Sequence, residues 1–142
     1  MGNTQSVKKV NFEDVQYVIK NKNKYLLINT LISNEQNCLI KNTISCHDEV
    51  SIINQHLNNK QIYIIIYGRN SCDDSVRKKY VQLMELGFHN IFIYPGGIFE
   101  WLMLQDIYGD EDDAFPTTVK EMDILRYKGC SELNKLLLTN ID

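Results

Sequence analysis

The sequence has no apolar run approaching the roughly 20 residues that span a bilayer, and its N-terminus lacks the apolar stretch of a secretory signal. A membrane-spanning or exported chain is therefore not indicated. It has no paired cysteines: Cys38, Cys46, Cys72 and Cys130 stand far apart, with no C-x-x-C and no Cys/His ligand spacing. That argues against a zinc site and a disulfide framework and fits a reducing, cytosolic-side setting. His47 beside Cys46 has no matching second pair and is read as incidental, and His56 and His89 are expected at the surface. No metal and no cofactor are expected. Excess positive charge is also missing, since the formal net charge is -3 with lysines scattered along the chain. Nucleic acid is an unlikely main partner for such a surface. Internal repeats and low-complexity stretches are absent as well.

What is present suits one ordinary domain, 142 residues of which 44% are hydrophobic, enough for a real core and too few for two. The first residues carry a specific signal. Met1-Gly2-Asn3-Thr4-Gln5-Ser6 matches M-G-x-x-x-S, in which Gly2, exposed by methionine removal, accepts a myristoyl group. Lys8 and Lys9 follow at once, and Lys20, Lys22 and Lys24 can add to them. One acyl chain holds weakly, with an association constant near 10⁴ M⁻¹, and each lysine near an anionic leaflet adds about 1 kcal/mol. The expectation is reversible attachment to the cytosolic face of a membrane.

Along the chain, short apolar runs alternate with helical patterns. Asn11 caps a predicted amphipathic helix with apolar residues at Phe12, Val15, Val18 and Ile19. Tyr25 to Asn29 reads as a buried strand, Cys38 to Ile40 and Thr43-Ile44 as a short extended piece, and Asp48 to Leu57 as a helix with Val50, Ile53 and Leu57 on one face. Ile62 to Tyr67, continuous and β-branched, is the strongest strand and belongs at the centre of a parallel sheet. Ser75 to Leu86 is a helix ended by Gly87, Ile91 to Tyr94 a strand, Pro95-Gly96-Gly97 a turn, and Ile98 to Ile107 a largely buried helix. Strands alternating with helices predict βαβ units and a mostly parallel sheet flanked by helices. Beyond Gly109 come an acidic loop, Asp110 to Asp113, then a capping box at Thr118 to Glu121 that predicts a helix closed by Gly129, and a last short helix after Ser131 carrying Leu133, Leu136 and Leu137. Tyr108, Phe115 and Pro116 are candidates for a partner surface, although Phe115 could equally pin the extension to the domain.

Tyr67-Gly68-Arg69-Asn70-Ser71-Cys72-Asp73-Asp74-Ser75 links the strongest strand to a helix, and Gly87-Phe88, a strand, Gly96-Gly97 and Trp101 follow in order. This succession, over roughly Val10 to Ile107, resembles the rhodanese-like superfamily. The resemblance implies a three-layer α/β fold, divided into an N-terminal arm at 1–9, a rhodanese-like domain at 10–107 and a C-terminal helical extension at 108–142. It also implies a loop whose backbone amides converge at a helix N-terminus to hold a thiolate or persulfide and an anionic substrate. The family's cysteine sits at the first position of that loop, and here that position is Gly68. The family's Asp-x-Arg and Gly-His-Ile segments correspond most nearly to Asn29-Thr30-Leu31 and Asn37-Cys38-Leu39.

Cys72 with Arg77 satisfies C-x-x-x-x-R, the spacing of a sulfurtransferase or, with one more residue, of a dual-specificity phosphatase. Its register disagrees, because Cys72 stands five residues beyond the strand and Arg77 falls inside the helix. Asp73 and Asp74 would occupy the helix-start amides and repel an anionic substrate. The reading is a loop, Gly68 to Asp74, that has lost its catalytic sulfur and serves a binding or scaffold role, with a sulfurtransferase using Cys72 as the alternative. Arg69 is expected as a solvated loop arginine, and Trp101 and Tyr80 as core.

Overall fold

The computed structural model describes residues 7–109 and 113–133. Gly2 and its motif, residues 110–112 of the acidic loop, and Leu136 and Leu137 lie outside the described residues. Among the described residues the order is α1 (Phe12–Lys20), β1 (Tyr25–Asn29), β2 (Thr43–Ile44), α2 (Glu49–Gln55), β3 (Tyr63–Tyr67), α3 (Ser75–Glu85), β4 (Ile91–Ile93) and α4 (Gly97–Tyr108), with short 3₁₀ turns at Ser33–Glu35 and Ile124–Tyr127.

The four strands are all parallel, in the order β2-β1-β3-β4. The central pair runs in register from Tyr25 opposite Tyr63 to Asn29 opposite Tyr67. Four consecutive residues of β3 are buried, as a strand covered on both faces requires. Successive side chains point to opposite faces, so Leu27, Ile65 and Tyr67 meet Val15, Val18 and Trp101 in one core. Ile28, Ile64 and Ile66 meet Ile53, Val76 and Leu83 in the other. Helices α1 and α4 thus cover one face and α2 and α3 the other, giving three layers.

Asn11 closes the start of α1 as a capping box: its side-chain oxygen accepts from the amides of Glu13 (2.9 Å) and Asp14 (3.2 Å), and the Asp14 carboxylate accepts from Asn11 N at 3.0 Å. The arm before it runs alongside β4, where Ile93 N donates to Lys8 O at 2.9 Å and Val10 N donates to Ile93 O at 2.8 Å. That pairing covers the sheet edge. Gly87 ends α3 with φ +100° in the left-handed region.

Helix α2 is shorter than predicted, and Val50 is 71% exposed; its apolar stripe runs through half-buried Ile52 and buried Ile53 instead. His56, expected at the surface, is half-buried at the end of α2 with Nδ1 2.9 Å from Ile52 O. No helix starts at Thr118, because the hydroxyl meant to cap it donates to Asn37 O (2.8 Å) and accepts from Leu39 N (3.0 Å). Thr118 N donates to Leu39 O and Lys41 N to Pro116 O, so this segment pairs antiparallel with residues 39–41 around Ile40 and Thr117. Glu121 turns to Arg126 (2.9 Å) and to Asp123 N (3.2 Å) rather than back to a cap. Among the described residues the extension forms a strap that includes the 3₁₀ turn at Ile124–Tyr127.

Candidate functional site: the loop after the central strand

Helix α4 starts hard against the loop. Ile98 N donates to Gly68 O and Phe99 N to Arg69 O, both at 2.9 Å, so two amides that a helix start leaves free are spent on the loop's carbonyls. The approach is close enough that a Cβ on Gly97 would lie 2.6 Å from Gly68 O, and Gly97 has φ +65°. This explains why glycine stands at that turn.

Inside the loop, one carboxylate is the organising group. Asp73 Oδ2 accepts from Arg69 N at 2.9 Å, and Oδ1 accepts from Ser75 N at 3.0 Å and lies 2.6 Å from Ser75 Oγ. Ser75 Oγ is in turn 2.7 Å from Thr30 Oγ1, which ties the start of α3 to the end of β1. The space into which a side chain at Gly68 would project is filled: an added Cβ would meet Asp73 Oδ2 at 2.4 Å, Val76 Cγ2 at 2.6 Å and Thr30 Oγ1 at 2.8 Å. Asn70 closes a local turn by accepting from Cys72 N at 2.8 Å. Cys72 is exposed, its Sγ 3.4 Å from where a Cβ of Gly129, in the strap, would stand. Ser71 and Asp74 are exposed, as is Arg77 further along α3. The structure therefore places Gly68, Arg69, Asn70, Ser71, Cys72, Asp73 and Asp74 in one loop, and Arg77 on the exposed surface of α3.

Arg69 is not the solvated arginine expected. Its guanidinium pairs with Glu35, donates to Arg126 O, and lies 5.4 Å from the Tyr127 ring centroid. Glu35 is only 6% exposed, and its other oxygen, Oε1, has no hydrogen-bond partner. Removing the arginine would leave a buried carboxylate without its counter-charge, which is far costlier than losing an exposed pair. Asn70 Nδ2 adds a bond to Tyr127 O at 2.7 Å, so the strap's 3₁₀ turn is fastened over the loop by two consecutive loop residues. The sequence carried no signal of Glu35 or Tyr127 in this role, since their partners lie 34 and 57 residues away.

The positions corresponding to the family's Asp-x-Arg are structural. Asn29 is buried and exchanges amide bonds with Gln36 (2.7 and 3.1 Å), while Leu31 is core. Beside the loop, between α2 and α3, an open cavity of about 500 Å³ is lined by Thr30, Cys46, Glu49, Ser75, Lys78 and Lys79. Among the described residues no group of three or more His, Cys, Asp or Glu side chains is placed to hold a metal ion.

Of the three residues offered as a partner surface, Tyr108 is exposed, but Phe115 is buried on Trp101 (ring centroids 5.2 Å) and Phe12 (5.7 Å). Pro116 is half-buried, its carbonyl accepting from Trp101 Nε1 at 3.2 Å. Those two pin the strap to α4. No helix among the described residues is long and apolar enough to cross a membrane.

Solved structures share the fold at low sequence identity. A yeast protein tyrosine phosphatase of the rhodanese family is 15% identical, with TM-score 0.58 over 86% of this chain and 99% of that one. A single-domain sulfurtransferase from Saccharomyces cerevisiae is 21% identical, with TM-score 0.53 over 81% and 100%. A protein from Bacillus halodurans is 16% identical, with TM-score 0.56 over 85% and 90%. At such identities the likeness concerns the fold. Among curated proteins no sequence matches significantly. The family model described as a rhodanese-like domain matches residues 13–104, from the first helix through most of α4. With that match covering well over half of its length, the chain belongs to the rhodanese-like domain family.

Proposed function

We propose that this chain is a rhodanese-like module without sulfur-transfer chemistry, serving as a binding or scaffold unit held reversibly at the cytosolic face of a membrane by a myristoyl group on Gly2. The observation that carries the first part is the Asp73 carboxylate. It occupies the space in front of Gly68 and takes the amides of Arg69 and Ser75, so the place where the family's enzymes hold sulfur contains a fixed anion. A carboxylate there disfavours both a thiolate and an anionic sulfur donor. The strap adds to this by fastening Arg69 and Asn70 outward.

The membrane part is supported by the Gly2 motif and by Lys8 and Lys9, which are both exposed where the arm leaves β4. One acyl chain with two such lysines gives attachment that can be reversed.

The test is thiocyanate formation from thiosulfate and cyanide, with the cyanolysable sulfur on Cys72 measured in parallel. No turnover and no persulfide are expected, and thiocyanate production that is lost in Cys72→Ser would replace this reading with a sulfurtransferase using Cys72. Intact-mass measurement of full-length protein made together with a myristoyl transferase checks Gly2, and an unmodified product would remove the lipid from the proposal.

A further inference from the structure

At the opposite end of the sheet from the loop, where the strands begin, four aromatic rings stand in file across the strands. Tyr17 of α1 meets Tyr25 of β1 edge-on with centroids 6.0 Å apart; Tyr25 is 5.7 Å from Tyr63 of β3; Tyr63 stacks on Phe92 of β4 at 6.2 Å. The file ends at the arm, with Lys8 Nζ 5.7 Å from the Phe92 centroid. Together with Val10, Val18 and Ile65 these rings line a groove of about 190 Å³. Its one acid, Asp14, is spent on Asn11 N in the capping box. The rings are incompletely covered, Tyr17 being 55% and Tyr63 45% exposed.

We propose that this groove is an acyl site that seats the distal part of the myristoyl chain carried on Gly2, so that the lipid exchanges between the protein and the bilayer. The inference rests on the reading of Gly2 given above. Three observations select this occupant. The described chain begins at Val7, and Lys8 already lies on Phe92 at one end of the groove. From Gly2 to Lys8 the backbone reaches up to about 20 Å, enough to return an acyl chain to Tyr25 and Tyr63. The volume also suits part of a lipid: an apolar cavity of about 150 Å³ holds a six-carbon ring, so this one takes roughly half of a fourteen-carbon chain. A chain only half covered is bound weakly enough to leave. Lys8, drawn toward anionic headgroups, would uncover Phe92 as it does so.

The test uses full-length protein prepared in two ways, by a myristoyl transferase and by ligation of a synthetic myristoylated N-terminal peptide, each carrying ¹³C in the acyl chain. In buffer without lipid, nuclear Overhauser contacts are expected from the acyl methylenes to the rings of Tyr25, Tyr63 and Phe92. Tyr63→Gln, a change at a half-exposed site, should weaken those contacts. It should also raise partitioning onto phosphatidylcholine vesicles containing phosphatidylserine by about tenfold, as expected if about a tenth of the wild-type chain is free at any moment. Absence of contacts to these rings in the ligated wild-type protein overturns the proposal. So does unchanged or lowered partitioning of Tyr63→Gln, and a lowered value would mean that the rings themselves touch the membrane. Because ligation supplies the lipid whether or not the transferase accepts Gly2, failure of enzymatic acylation counts against the modification and not against the groove.

Discussion

A cysteine at Gly68 would place its Cβ 2.4 Å from Asp73 Oδ2 and 2.6 Å from Val76 Cγ2, closer than real contacts allow. Either the carboxylate leaves the amides of Arg69 and Ser75 or the strand end shifts. Gly68→Cys is therefore expected to cost about 1–3 kcal/mol, the usual price of overpacking, read as a lower urea midpoint, and to form no thiocyanate from thiosulfate and cyanide. Wild-type stability with robust turnover would show that Asp73 swings out easily. Cys38 offers a second test at the same scale. Burial pushes its thiol up to about 11 from an ordinary value of 9, and its Sγ lies 3.5 Å from Val119 O. The unfolded chain ionises first, so this contribution is full below about pH 9 and is lost as pH rises toward 11. Thermal melting across that window should fall, and less steeply for Cys38→Val; Tyr67 and Tyr127, also raised by burial, keep part of the slope. Equal melting temperatures throughout would contradict the burial argument. At this scale the glycine at position 68 and the two acids just before α3 were readable from the chain order alone. The ion pair of Arg69 with Glu35 was not, because it joins two loops that only the sheet brings together.

At the scale of elements, the strap distinguishes this molecule. Its 3₁₀ turn buries Tyr127 almost completely and receives bonds from Arg69 and Asn70. Tyr127→Ala should cost about 3 kcal/mol, as for other large buried rings, and should free the loop, raising the rate at which iodoacetamide alkylates Cys72 in the folded protein. Unaltered Cys72 reactivity would show that the strap is only a packing element. The two capping boxes make the contrast between readable and unreadable structure. The box at Asn11 forms because its partners are three residues away and nothing competes. The one at Thr118 fails because residues 37–39 of the same chain, distant in sequence, offer bonds to both its amide and its hydroxyl. A local motif decides structure only where no distant backbone claims the same atoms.

For the whole molecule, the two ends of the sheet differ: the carboxyl end carries the loop under the strap, and the amino end carries the aromatic file. With a net charge of -3, the arm's lysines act against the protein's own field, so their effect should be local and screened by salt. Replacing Lys8 and Lys9 by Gln in acylated protein is expected to lower binding to phosphatidylserine-containing vesicles about fivefold for each lysine, from about 1 kcal/mol apiece. Binding to neutral vesicles should not change, and an equal loss there would assign the lysines a role in folding the arm instead.

Alternation of short β-branched runs with 3.6-residue patterns was enough by itself to determine a parallel sheet between helices, because burial on both faces leaves a continuous apolar strand such as Ile64 to Tyr67. The order of glycines, aromatics and the Gly68 loop determined the family in the same local way. Only the tertiary structure decided where Asp73 points, what Arg69 pairs with, that Thr118 joins a strand contact, and that Tyr17, Tyr25, Tyr63 and Phe92 meet. Each of these depends on atoms far apart in sequence competing for one another, and that competition is settled by packing.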